Sequence, residues 1–302
     1  MSDLKRNLIV VVGPTAIGKT ALAINLAQHF STEVISADSR QFFKEMDIGT
    51  AKPSKEELAT VPHHFINSHS ISTFFSTGDF ENQALAKMDV LFQKHEQLVM
   101  VGGSGLYINA VCNGLDELPD TDLNIRAALK ERFAKEGIES IKQQLSEVDP
   151  EFYVRVDQAN PQRMIRGLEF FLSTGKKLSA YQTNSTKKRP FNQIKIGLNT
   201  DRALLYERIN HRVDLMMEAG LLKEVQTLLP YKHLNALNTV GYTELFEYLE
   251  GKSTLEQAVD AIKQNTRRFA KRQLTWFRKD PETAWFEPND YPAILSYVEA
   301  RL

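Results

Sequence analysis

The 302-residue chain has a single cysteine, Cys112. An internal disulfide is therefore excluded, as is any zinc site built from several cysteines, and the composition fits a reducing compartment. Long hydrophobic runs are also missing. Stretches such as residues 8–12 fall far short of the roughly 20 residues that a membrane helix needs. The first seven residues are charged and lack the longer apolar stretch of a signal peptide, so the expectation is a soluble, cytoplasmic protein without membrane attachment. Net charge is nearly absent: 37 Lys and Arg stand against 38 Asp and Glu. This argues against a generic polyanion binder but leaves room for a local basic patch. The sequence has no internal repeat and no low-complexity tract.

What is present is an ordinary globular composition, 42% hydrophobic and 25% charged. Its length suits one large domain or two of common size, with a core that needs no covalent staple. Residues 8–12 form a β-branched apolar run closed by Gly13 and Pro14, which predicts a buried strand. Apolar positions at helical spacing follow over 19–30. Further short strands are expected at 33–37, 98–101 and 194–198. Strands alternating with helices predict an α/β fold: a parallel sheet flanked by helices, with ligands beyond the carboxyl ends of its strands. Between 113 and 189 strand-like runs are scarce and helices are expected at 122–136, 138–147 and 161–172. The expected organisation is a core of 1–112 and 190–302 interrupted by a mainly helical insertion, 113–189, that ends in the polar, basic stretch 183–189. Long helices are expected at 204–229 and 255–278.

Gly13-Pro14-Thr15-Ala16-Ile17-Gly18-Lys19-Thr20 satisfies the G-x-x-x-x-G-K-[ST] pattern in a strand-then-helix setting. The two glycines let successive N–H groups turn inward as an anion nest, and the following helix adds its positive end. Lys19 brings a point charge to phosphate oxygens, and Thr20 is the candidate Mg²⁺ ligand. Such a nest recognises a diphosphate, whether of ATP or of another pyrophosphate ester. Asp38 stands at the tip of the second strand, where it is either a turn former or a catalytic base. The Gly102–Tyr107 segment falls at a third strand end. From 262 to 279 there are seven basic residues and no acidic ones. On a helix, Arg267 with Lys271 and Arg268 with Arg272 make a basic stripe beside Phe269 and Trp276, the footprint of phosphate-backbone binding. The plainer alternative is a solvated helix with core aromatics. His63, His64 and His69 read as a surface loop rather than a metal site.

Seven segments in order resemble the tRNA dimethylallyltransferases (tRNA isopentenyltransferases). They are the loop at 13–20, Asp38-Ser39, and Asp47-Ile48-Gly49-Thr50-Ala51-Lys52-Pro53; then Val101-Gly102-Gly103-Ser104-Gly105-Leu106-Tyr107, and Asn160-Pro161-Gln162-Arg163 leading to Arg166. Val240-Gly241-Tyr242 and the stretch 266–276 complete the set. The resemblance implies a P-loop NTPase-like core and transfer of a dimethylallyl group from its diphosphate to N6 of the adenosine just 3′ of the anticodon. The tRNAs implied are those reading codons that begin with U. It implies Asp38 as base, with Lys19, Thr20 and Arg212 at the diphosphate and Mg²⁺ as cofactor. It also implies tRNA contacts, through the anticodon stem-loop, at Asp38, Ser39, Arg40, Gln41, Ser104, Arg126, Gln162, Arg163, Met164, Ile165, Arg166, Val240, Gly241, Tyr242, Arg267, Arg268, Lys271 and Arg272. A monomer is the family expectation. Ile17 stands where the family often has Ser, and Arg40-Gln41 where Ala-Leu is commoner. The residues alone leave open an ATP-dependent small-molecule phosphotransferase, prenyl transfer to free adenine nucleotides, and a non-catalytic nucleotide switch.

Overall fold

The computed structural model describes residues 6–183 and 185–302. The charged segment 1–5 and Asn184, within the basic stretch, lie outside the described residues. The chain divides into two compact units, Met1–Cys112 with Lys188–Leu302, and Asn113–Lys187.

The first unit opens with β1 (Asn7–Val12), α1 (Lys19–His29), β2 (Val34–Ser36) and α2 (Lys55–Thr60). It continues through β3 (His63–His64), α3 (Thr77–Leu91), β4 (Gln97–Gly102) and α4 (Gly105–Asn113). The second unit holds α5 (Leu123–Glu136), α6 (Glu139–Val148), α7 (Pro150–Arg155) and α8 (Pro161–Thr174). The chain returns to the first unit with β5 (Asn192–Leu198), α9 (Arg202–Glu218), α10 (Leu221–Leu228) and α11 (Tyr242–Leu249). Helix α12 (Leu255–Phe277), β6 (Ala284–Phe286) and α13 (Tyr291–Glu299) close it.

The six strands form one sheet in the order β3-β2-β4-β1-β5-β6, and every pairing is parallel. β1 lies between β4 and β5, with Ile9 opposite Val99 on one side and Ile194 on the other. All six of its residues are buried, which is why the strand reads as a continuous apolar run rather than an alternating one. Ile9 and Val11 pack on one face with Leu22, Leu26 and Ile209. Leu8, Val10 and Val12 pack on the other with Phe80, Met88 and Ile108. This is the P-loop NTPase-like α/β arrangement, and it sets the loops after β1, β2 and β4 side by side.

Several expectations change in detail. The single helix expected at 204–229 is two, because Gly220 adopts φ 99° between Glu218 and Leu221 and starts α10 afresh. Residues 63 and 64 are not a surface loop: they form edge strand β3 on β2, and His64 Nε2 lies 2.6 Å from a Glu33 carboxylate oxygen. The second unit ends at Lys187 rather than 189. Arg189 pairs with Glu81 at 2.6 Å and donates to the Ala110 carbonyl, both in the first unit. Among the described residues no helix is long and apolar enough to cross a membrane.

The second unit has its own core, in which Leu129, Ile141, Leu145, Phe152 and Leu168 meet. Buried Asp149 caps α7 through Phe152 N–H (3.1 Å) and ties down Ser179 by its N–H and hydroxyl.

Because β1 is packed on both faces, Ile9→Ala should destabilise the protein by about 2–5 kcal/mol. Leu204, which is 39% exposed, should tolerate the same truncation within about 0.5 kcal/mol. Urea denaturation of both variants checks the contrast.

Candidate active site

The turn from β1 into α1 is built on two glycines with different constraints. Gly13 has φ 149°, and a Cβ there would stand 2.8 Å from the Leu198 carbonyl of β5, so the loop passes too close to the neighbouring strand for a side chain. Gly18 has φ 101° and caps α1, turning the chain into the helix. Ala16 between them is also left-handed, at φ 63°. Thr15, Ala16, Ile17, Gly18, Lys19 and Thr20 line a cleft of about 600 Å³ in the first unit. Ile17 itself is buried at 1% exposure, so its side chain serves the core, not the loop.

Asp38 leaves the sheet at the end of β2 and lines the same cleft. Its Oδ1 accepts the Arg40 N–H at 3.1 Å, a local turn bond of the kind aspartates often make. Its Oδ2 lies beside Gly103. Ser39 N–H donates to Ser104 Oγ at 3.0 Å, which joins the β2 and β4 tips. The Arg40 guanidinium is spent on the carbonyls of Asn235, Ala236 and Asn238. Gln41 accepts from Ser36 Oγ and donates to the Thr50 and Ala51 carbonyls. The Arg40-Gln41 pair thus fastens two flanking segments of the cleft wall.

Arg212, on α9, reaches the loop from the other side, its Nη1 donating to Thr15 Oγ1 at 3.3 Å. Lys19 Nζ donates to the Pro14 carbonyl at 2.7 Å. Burial pushes the Lys19 ammonium down to about 8; Asp38 acts to raise it, and Arg212 lowers it further. Burial likewise lowers Arg212, with Asp38 opposing. Two cations in a sheltered cleft, with one carboxylate acting on both, make a site that favours an anion.

Two residues were not legible as functional in the sequence. Gln273, on the buried face of α12, accepts the Thr15 N–H at 2.9 Å and donates to the Gly103 carbonyl at 2.9 Å. Glu224, on α10, accepts from the Asp47, Ile48 and Gly49 N–H groups and from the Tyr242 hydroxyl at 2.6 Å. A Cβ on Gly49 would meet the Tyr242 ring at 2.5 Å, which accounts for glycine there. Their signal was faint: a polar residue within an apolar helical stripe.

The expected tRNA-contact residues separate by exposure. Asp38, Ser39, Arg40, Gln41, Ser104, Val240, Gly241 and Arg272 line the cleft. The Tyr242 side chain is wholly buried in a cluster with Met46, Leu245 and Ile262. Met164 and Ile165 are buried in the core of the second unit. Within that unit Gln162 and Arg163 are exposed. Arg126 and Arg166 converge on buried Glu169, at 3.0 and 3.3 Å, which holds both guanidinium groups in place. On α12, Arg268, Lys271 and Arg272 are exposed. Arg267 is instead tied to α9 through Asn210 (2.6 Å) and the Tyr206 ring, so the expected pairing of Arg267 with Lys271 in one solvent-facing stripe is incomplete. Phe269 and Trp276 are not core: they are 39% and 40% exposed and line the cleft.

The pKa of Lys19 gives a signed expectation. Below pH 8 the free protein already carries the charge; above it, binding an anion must draw in a proton. Affinity for inorganic pyrophosphate should therefore fall as pH rises past 8, by up to about tenfold per unit. Calorimetric titration at pH 7, 8 and 9 tests this, and Lys19→Met should flatten the dependence.

The profile of the IPP transferase family matches residues 41–280. A tRNA dimethylallyltransferase of Christiangramia forsetii is 54% identical over 98% of both chains. That of Cytophaga hutchinsonii is 48% identical over 100% of this chain and 99% of its own. Among solved structures, a full-length tRNA isopentenylpyrophosphate transferase from Bacillus halodurans aligns with TM-score 0.72 and 36% identity over 98% of each chain. A eukaryotic dimethylallyltransferase described as acting on tRNA aligns with TM-score 0.79 and 26% identity, over 98% of this chain and 77% of that one. The profile covers the β4 tip and α12, the Christiangramia relative aligns over nearly the whole chain, and this chain belongs to the IPP transferase family.

Proposed function

We propose that this chain transfers a dimethylallyl group from dimethylallyl diphosphate to N6 of the adenosine 3′-adjacent to the anticodon, in tRNAs that read codons starting with U, releasing diphosphate. One observation carries the reading. A single cleft combines a phosphate cradle, the Asp38 carboxylate and an apolar wall that includes Val213, Met216, Ile262 and Phe269. The cradle and carboxylate would suit a phosphotransferase as well; the apolar wall suits an isoprenoid chain. The names of the relatives point the same way.

The chemistry follows from what each group can do. N6 of adenine is a weak nucleophile because its lone pair is delocalised into the ring. As the N–C1 bond forms, the amine proton becomes acidic, and Asp38 accepts it. The C1–O bond breaks at the same centre and negative charge grows on the departing diphosphate. Lys19, Arg212 and the loop amides stabilise that charge where it develops. For Mg²⁺, the residues fit a ligand-borne ion. Among the described residues no group of three His, Cys, Asp or Glu could hold a metal. The Thr20 hydroxyl would therefore hold the ion together with the diphosphate's own oxygens and water. The ion would supply further charge neutralisation to the leaving group.

For the RNA, exposed Arg268, Lys271 and Arg272 on α12 would take the phosphate backbone. Exposed Gln162 and Arg163, with Arg126 and Arg166 braced on Glu169, would give the insertion its own tRNA-binding face. A base at the cleft must leave its stack to be alkylated. A cytoplasmic monomer completes the reading.

The first test is a mass measurement. Unmodified anticodon stem-loop incubated with protein, Mg²⁺ and dimethylallyl diphosphate should gain one dimethylallyl group on the adenosine beside the anticodon, with ATP in place of the isoprenoid as control. No gain, with ATP consumed instead, would favour the phosphotransferase. Asp38→Ala should lower turnover by about 10²–10⁴-fold with pyrophosphate and RNA affinity kept. Near-normal turnover would remove Asp38 from the mechanism. Arg268→Ala with Arg272→Ala should weaken RNA binding and flatten its salt dependence. An unchanged slope in filter-binding assays would show that α12 does not face RNA.

A further inference from the structure

The buried face of α12 is apolar at Ala258, Ile262, Ala270 and Phe277, and Gln273 interrupts it at 6% exposure. Burying an amide is unfavourable unless its hydrogen bonds are replaced, and a methionine would fill similar space without that demand. Both ends of this amide are in fact engaged. Oε1 accepts the Thr15 N–H of the phosphate loop, and Nε2 donates to the Gly103 carbonyl at the tip of β4.

The two partners lie at the chemical heart of the cleft. Thr15 is also the residue whose hydroxyl accepts from Arg212. One loop residue is thus held by α12 through its backbone and by α9 through its side chain. Gly103 is glycine for a matching reason: a Cβ there would stand 2.3 Å from Gln273 Nε2 and 3.9 Å from Asp38 Oδ2. The glutamine amide and the Asp38 carboxylate therefore flank the same backbone position. Phe269 and Trp276, about one turn to either side on α12, and the adjacent Arg272 line the cleft together with Gln273.

We propose that Gln273 is a positioning residue: its amide fixes the opening of the phosphate loop relative to the β4 tip that carries Gly103, and so sets the distance between the diphosphate cradle and Asp38. The inference rests on the prenyl-transfer reading for its turnover test, but its ligand-binding test does not. Without the amide, the Thr15 N–H would have to find another acceptor by turning, and the anion nest would open with it. Loop preorganisation, rather than direct contact with substrate, is what Gln273 contributes.

The experiment uses the full chain with Gln273→Met, which keeps volume and removes both hydrogen bonds, and Gln273→Asn, which keeps a buried amide one carbon too short to bridge. The probes are inorganic pyrophosphate with Mg²⁺, and the unmodified anticodon stem-loop. In either variant pyrophosphate should bind about tenfold more weakly, and turnover at saturating substrates should fall about 10- to 100-fold. RNA affinity should stay within about twofold, since the exposed basic residues of α12 are untouched. Amide exchange across residues 13–18 should quicken while β1 stays protected. Should Gln273→Met not fold, Gln273→Asn carries the same measurements. A folded variant with wild-type pyrophosphate affinity, turnover and loop exchange overturns the proposal. So does an equal loss of RNA and pyrophosphate affinity, which would mean general loosening of the helix. If the wild type leaves the stem-loop unmodified, the prenyl-transfer reading fails, and the pyrophosphate and exchange measurements still decide the role of Gln273.

Discussion

Parallel pairing of β1 between β4 and β5 is the constraint from which the rest of the site follows. Parallel strands end on the same edge of a sheet, so the loops leaving β1, β2 and β4 emerge together. The pairing register then becomes a distance rule for chemistry. Val12 lies level with Gly102 on one side and Gly197 on the other. The chain beyond β1 therefore has no room for a side chain at Gly13, and the last residue of β4, Gly102, has none either, since a Cβ would sit 2.3 Å from the Ala37 carbonyl. Asp38, the next residue after that carbonyl, is drawn in beside Gly103 as a result. Close packing of backbones brings a phosphate cradle and a carboxylate within one cleft.

That closeness has an electrostatic consequence. Lys19 and Arg212 are both lowered by burial, and each is partly supported by Asp38. Asp38 alone cannot balance two cations in a sheltered site. An anion with several charges would supply the remainder, so the cleft would suit a diphosphate better than a neutral ligand. Arg40 shows the other use of a buried guanidinium. Its donors reach three carbonyls of the 235–238 segment, and in this structure it fastens that segment to the β2 tip. The two arginines of the cleft thus differ in their partners: Arg40 meets backbone carbonyls, and Arg212 meets the phosphate loop at Thr15.

Legibility followed the same division. The phosphate loop could be read directly, because its spacing is dictated by backbone geometry that few sequences satisfy by accident. Strands 8–12 and 194–198 were legible because they are buried on both faces. Strands β3 and β6 were not, having only two and three residues each. Asp38 could not be told from a turn former on its own, and in the structure it does form the turn while facing the cleft. The resemblance to a family identified motif segments but not the direction of each side chain. Tyr242, Met164 and Ile165 sit in such segments and point into cores. Gln273 and Glu224 were missed because nothing in a linear sequence says which buried backbone N–H groups need an acceptor.

Helix α12 shows why a motif segment can mix these roles so closely. Its 23 residues present three faces at once. Ala270 and Phe277 join the cores on opposite faces of the sheet, so the helix is anchored to both. Arg268, Lys271 and Arg272 project to solvent, and Phe269 and Trp276 fill the angle between. An α-helix repeats every 3.6 residues, so a contiguous stretch such as 266–276 necessarily samples core, cleft and solvent in turn. Such a stretch is recognisable as a whole because each face is constrained by something different: packing, the phosphate loop, and charge. The helix that carries the exposed basic residues is also the one whose buried glutamine holds the loop. That physical identity, more than any single residue, would tie a nucleic-acid surface to a diphosphate site under the proposed function.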